Sequence, residues 1–171
     1  MIIAVGVLLF FVFLVFIGNI VLAIYRHPTD HFSIRYPPSW GKVTNKDGAS
    51  VIFISPKQSA LDTFRENVNV VVQNLASNPM SLQKYTDTAI FQVKVVFKSG
   101  IVEVESKSIY LDGKPGYKFA YLVKGDRDIK IMHVWTIDHS RAYQVTFTAL
   151  ASEFDQYQDT FEKMIKSFHI Q

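Results

Sequence analysis

The chain contains no cysteine among its 171 residues. That excludes disulfides, thiol nucleophiles, cysteine-ligated zinc, iron–sulfur clusters and lipidation of an N-terminal Cys. Motifs that announce catalysis are missing too: there is no Gly-x-Ser-x-Gly elbow, no His-Glu-x-x-His and no Gly-rich phosphate loop. No acidic loop has EF-hand spacing, and no Asn-x-Ser/Thr sequon occurs. The most uneven shortage is of charge. Met1 to Tyr25 carry no charged side chain, so all 18 basic and 15 acidic residues lie beyond them. The resulting net charge of +3 is mild and not gathered into one basic stripe, which argues against a nucleic-acid footprint.

What fills the uncharged leader is hydrocarbon. Eighteen of its residues are Ile, Leu, Val or Phe, and Asn19 is the only strongly polar one. As a helix it would rise about 36 Å, enough to cross a hydrocarbon core of about 30 Å. Ile2, Val7, Leu8, Phe10, Phe11, Phe13, Phe16, Ile20 and Leu22 are its expected lipid-facing anchors. Val21-Leu22-Ala23 has the form of a signal-peptide cleavage site, but no Lys or Arg precedes it and the apolar run is longer than a signal needs. We therefore expect an uncleaved transmembrane signal-anchor over 1–25, a short linker over 26–31 and one domain over 32–171. Arg26, Arg35 and Lys42 follow the leader, and a charge count alone leaves sidedness open.

Period-2 alternation predicts strands at Phe32–Tyr36, Val51–Ile54 and Asn67–Leu75. Ser81 is placed to cap a helix whose apolar face carries Leu82, Tyr85, Ala89, Val93, Val96 and Phe97, ending at Gly100. A meander follows, with strands over 101–109, 117–123, 127–137 and 141–150. Its connections are short enough to force antiparallel neighbours. Ser152 and Asp155 suggest a capping box for a last helix with Phe154, Tyr157, Phe161, Met164, Ile165 and Phe168 on one stripe. The fold class expected is α+β: an antiparallel sheet flanked by helices in an α/β/α sandwich, preceded by one transmembrane helix.

Several stretches occur together in a telling order. They are Phe32-Ser-Ile-Arg-Tyr-Pro-Pro-Ser-Trp40, Glu66-Asn-Val-Asn-Val-Val-Val72, Ser81-Leu-Gln-Lys-Tyr85, Leu111-Asp-Gly-Lys-Pro-Gly-Tyr117, Val134-Trp-Thr-Ile137, Arg141-Ala-Tyr143 and Phe161-Glu-Lys-Met-Ile-Lys-Ser-Phe168. In this order they resemble the PsbP-like family, whose superfamily includes DcrB-type periplasmic and Mog-type Ran-binding proteins. The resemblance implies a non-enzymatic module on the exported, extracytoplasmic side of a single-pass membrane anchor. It would bind or stabilise a membrane or envelope protein complex, as an assembly factor does. Photosynthetic members dock on photosystem II and help it retain calcium and chloride. The resemblance therefore keeps a second reading open, a surface ligand- or calcium-type ion-binding protein. A spanning helix and a few residues are expected in place of the longer N-terminal arm of the photosynthetic proteins, which weakens a role in oxygen evolution. No cofactor is expected beyond the calcium that the family suggests.

Individual candidates read mostly as structure. Tyr36 and Trp40 suit the edge of a core better than a ligand platform. His133 shares a strand face with Ile129, Ile131, Trp135 and Ile137, as a core histidine would. Asp30-His31 and Asp138-His139 would offer ion ligands if the fold joined them. Asp112, Asp126 and Asp128 are the dense acids of the meander. Glu103 and Glu105 are expected on one strand face about 7 Å apart.

Overall fold

The computed structural model describes residues 21–98 and 100–171. The anchor residues from Ile2 to Ile20 lie outside them. Twelve elements follow in order: β1 (Ala23–Arg26), β2 (Phe32–Tyr36), β3 (Gly41–Lys46), β4 (Ala49–Ile54), β5 (Asn67–Asn74), α1 (Leu82–Phe97), β6 (Ile101–Leu111), β7 (Lys114–Val123), β8 (Ile129–Asp138), β9 (Arg141–Leu150), α2 (Phe154–Lys166) and β10 (His169–Ile170). Seven strands form one antiparallel sheet in the order β3-β4-β5-β9-β8-β7-β6, and β1-β2-β10 form a second, small sheet. Among the described residues no helix is long and apolar enough to cross a membrane.

Residues 23–25, expected in the anchor, pair instead with β2, with Ala23 opposite Tyr36 and Tyr25 opposite Ile34. Leu22 precedes this strand, half-buried and outside any helix. Tyr25 faces inward, its ring 6.2 Å from Phe32 and 5.9 Å from Phe53. A uniformly apolar run satisfies strand alternation as readily as a helical face, and here tertiary contacts choose the strand. The expected linker over 26–31 becomes the tight β1–β2 connection. Buried His27 accepts the Asp30 N–H at Nδ1 (3.0 Å) and donates its own backbone N–H to Phe32 O (2.9 Å).

Two cores flank the large sheet. The larger lies between the sheet, α2 and the small sheet, and holds Phe32, Ile34, Val51, Phe53, Val68, Val70, Val145, Phe147, Phe154, Phe161 and Met164. The apolar stripe of α2 meets Phe147 through Phe154 (4.8 Å) and Phe161 (5.0 Å). The helix starts later than the capping box implies. Glu153 is its N-cap with αR backbone angles and no side-chain cap bond, so Ser152 caps nothing. The second core lies on the opposite face, where Phe119, Tyr121 and Trp135 meet α1.

The place of α1 follows from topology. Strand β5 pairs with β9, whereas β6 lies at the far edge, so the chain between them must cross the meander. Ser81 caps α1 as expected, its Oγ accepting the Lys84 N–H at 3.2 Å. One helix about 10 Å across covers only part of a seven-stranded sheet roughly 29 Å wide. It packs over β7 and β8. On the same face β9 and β5 present Gln144, Thr146, Asn69 and Gln73, with no helix above them.

Hairpin turns pin this register. Asp112 (φ 52°) and Gly113 (φ 72°) form a two-residue turn that starts β7 at Lys114, three residues before the expected strand. At Gly116 an added Cβ would lie 2.6 Å from the Trp135 carbonyl oxygen, so only glycine fits beneath that strand. The structure also contains β3 and β10, neither of which alternates clearly enough to be read from sequence.

Candidate functional site

The incomplete cover leaves a cavity of about 280 Å³ between α1 and the sheet. Phe119 and Trp135 form its floor, both essentially inaccessible. Thr88, Ala89, Gln92, Val93, Val96 and Phe97 of α1 make one wall, and Gln73, His133 and Gln144 the other. Trp135 fixes the helix to the floor. Its indole N–H donates to the buried Thr86 hydroxyl at 2.9 Å, and its ring stacks on Tyr117 and meets Tyr85 edge-on. An indole N–H and a hydroxyl buried together satisfy each other, where either alone would cost about 1–3 kcal/mol.

His133 is the polar centre of the wall. Its Nε2 lies 3.0 Å from the Tyr121 hydroxyl and its Nδ1 lies 2.9 Å from Thr146 Oγ1. The Gln144 amide nitrogen donates toward Nδ1 at 3.2 Å. Burial pushes the imidazole down to about 4, and burial pushes the Tyr121 phenol up to about 12. Both are uncharged at neutral pH. His133 also rests near Thr146 like a base beside a nucleophile. Yet a pKa of about 4 makes it a poor base at neutral pH, and its hydrogen bonds lead to a phenol, a hydroxyl and an amide rather than a carboxylate. The arrangement suits binding better than proton transfer. The core reading of His133 thus holds for its hydrogen bonds, while its ring also faces the cavity.

The ion-ligand candidates come only partly together. His31, Asp138 and His139 line one shallow concavity with Arg141, Tyr143 and Gln171. Asp30 is directed elsewhere, accepting from Ser50 and lying 3.4 Å from His27. Asp138 is already engaged by Lys114 (3.1 Å) and His139 (2.8 Å). Burial raises its carboxyl, but hydrogen bonds from those two outweigh that and hold it low. With Arg141 alongside, the concavity opposes a cation. No group of three His, Asp or Glu side chains suited to a metal forms among the described residues.

The other acids separate for geometric reasons. Asp112 precedes β7 and Asp126 and Asp128 follow it, so ten strand residues, roughly 33 Å, stand between them. Asp128 pairs with Lys124, and Asp112 binds His169 (3.0 Å) and the Ile170 N–H (2.9 Å). Glu103 and Glu105 do not share a face. A bulge at Val104 sets Glu103 opposite Tyr121 and Glu105 opposite its neighbour Ala120, so the carboxylates point to opposite sides. Glu103 accordingly meets Lys94 of α1, and Glu105 meets Lys107 and Lys118. Tyr36 and Trp40 are core residues: Tyr36 stacks on Phe53 at 4.4 Å, and Trp40 packs edge-on against Tyr157.

One polar centre escaped sequence reasoning. Glu66, wholly buried, accepts from Ser55 Oγ at 2.9 Å, and its Oε1 has no hydrogen-bond partner among the described residues. Burial and the adjacent Glu66 carboxyl raise the pKa of Glu153, while Gln58 donates to it at 2.7 Å. The signal for Glu66 was a charged residue directly before a strand whose valines alternate inward.

The PsbP family model matches residues 21–170, from the residues before β1 through β10. The chain belongs to the PsbP family. Solved structures agree in fold. Cyanobacterial PsbP (CyanoP) from Synechocystis sp. PCC 6803 superposes with TM-score 0.64 at 18% identity, over 91% of this chain and 95% of that one. The Saccharomyces cerevisiae Ran-binding protein Mog1p gives 0.62 at 7% identity, over 89% and 96%. LpqN, involved in cell envelope biogenesis of Mycobacterium tuberculosis, gives 0.58 at 10% identity, over 90% and 87%. At such identities the likeness establishes the fold alone. No curated protein matches the sequence. As a PsbP-family domain, the chain has antiparallel sheets with two helices, and the expected sandwich gains a small three-stranded sheet on its α2 side.

Proposed function

We propose that this PsbP-family chain is a non-enzymatic binding module held at a membrane by its apolar leader. There, on the extracytoplasmic side, it would bind or stabilise a membrane or envelope protein complex. The observation that carries the reading is the junction. Tyr25 is already in the core and β1 starts at Ala23, so almost no free chain separates leader from domain. Residues 1–20 as a helix would rise about 30 Å, about the thickness of a hydrocarbon core. Any insertion of that leader would press the domain to the bilayer surface, where confinement raises its effective concentration toward neighbours. A contact surface is at hand on α1, whose outer side exposes Phe91 (67%) and Val95 (55%). Envelope precedent comes from LpqN, and a protein-binding precedent from Mog1p.

The test is a photo-crosslinking residue at position 91 in intact membranes, compared between the full chain and residues 21–171. A discrete adduct with a membrane protein that disappears on leader removal supports the reading. Equal adducts from both forms would show that tethering plays no part. A second reading, small-ligand binding, is favoured by one observation. Complete filling between helices and sheet would have opposed it, and the space under α1 is not filled.

A further inference from the structure

We propose that the cavity under α1 is a binding site for a small, uncharged, amphipathic molecule, its apolar body on Phe119 and Trp135 and its polar group against Gln144. This rests on the ligand-binding reading and not on the tether. Size comes first: a cavity of about 150 Å³ holds one benzene ring. At about 280 Å³ this one holds roughly two linked or fused rings, and is too narrow for a helix about 10 Å across. Charge comes second. No Lys, Arg, Asp or Glu lines the cavity, and its histidine is neutral at physiological pH because burial lowers it to about 4. An ionised ligand would lose its hydration with no countercharge to replace it. Polarity comes third. Three amide side chains, Gln73, Gln92 and Gln144, join His133 and Thr88 in a lining whose other members are apolar or aromatic. The Gln144 nitrogen is engaged by His133 and Thr146, which leaves its carbonyl oxygen free to accept a donor from the ligand. A few convergent polar groups on an apolar lining describe a small-molecule site.

The two tryptophans supply the readout, since Trp135 floors this cavity and Trp40 lies in the other core across the sheet. Residues 21–171 carry both cores, so that form is titrated with 2-naphthol and, separately, with its charged counterpart 2-naphthoate. The indole N–H resonances are followed by NMR. The proposal expects a saturable shift of the Trp135 resonance with 2-naphthol, an unmoved Trp40 resonance, and at least tenfold weaker binding of 2-naphthoate. Ala89→Phe, which fills the cavity from α1, should abolish the shift. Should that variant fold poorly, Gln144→Leu, which removes the acceptor oxygen, should weaken 2-naphthol at least tenfold. Equal affinity for the two ligands overturns the proposal, as does a non-saturating shift of both indoles or no shift at all. None of these outcomes depends on a membrane, so failure here leaves the tether standing and failure of the tether leaves this result intact.

Discussion

His133 makes the protein's stability depend on pH. Its folded pKa is about 4 against an ordinary 6.5, because burial disfavours the imidazolium. The unfolded chain therefore binds the proton more readily than the folded one. Stability from this residue is fully present above pH 6.5 and is lost as pH falls. Linkage gives a loss of about 2 kcal/mol by pH 5 and about 3 kcal/mol by pH 4. Most carboxylates protonate below pH 5, so the interval from pH 7.5 to pH 5 belongs chiefly to histidines. The comparison is with His133→Gln, which cannot titrate and keeps a polar group near Tyr121 and Thr146. The other four histidines are common to both proteins and cancel. Urea unfolding at pH 7.5, 6.5, 5.5 and 5 should show the native chain losing about 2 kcal/mol more than the variant. The variant starts lower at pH 7.5, since it gives up fitted hydrogen bonds, but its profile is flatter. Parallel profiles would refute the reasoning, for they would mean that His133 is as free to protonate when folded as when unfolded.

Two further expectations follow from close contacts. Gly116→Ala places a methyl 2.6 Å from the Trp135 carbonyl, and should lower stability by about 2 kcal/mol or more, read as a drop in the urea midpoint with an unchanged slope. Glu153→Gln removes a carboxyl whose pKa is raised by burial and by Glu66, a group that favours the folded state only at low pH. The variant should therefore be the more stable of the two at neutral pH, and its advantage should shrink as pH falls into the acid range, measured by thermal unfolding at both.

Much of this fold was legible because its elements obey simple periods. Strand β9 and the apolar stripe of α2 could be read directly, and Ser81 marked the start of α1. What stayed hidden depended on partners distant in sequence. Strand β1 was masked by the apolar run it continues, and only Phe32 and Phe53 make Tyr25 an inward residue. The polar edge strand β3 shows no alternation to read. The bulge at Val104 reversed one carboxylate relative to the other, which a regular period cannot foresee. The cavity arises from one helix too narrow for a wide sheet, a property of topology rather than of any motif. His133 was recognised as a core histidine, but not Gln144 beside it or Thr86 on the inner side of α1. Glu66 and Glu153 are distant in sequence and meet only through the fold.

The central claim is that the leader holds this domain against a bilayer. Alkaline carbonate extraction of membranes from cells producing the full chain tests it most directly. The account predicts that the full chain stays with the lipid pellet until detergent is added, while residues 21–171 remain folded and soluble. Release of the intact full chain into the carbonate wash would contradict it.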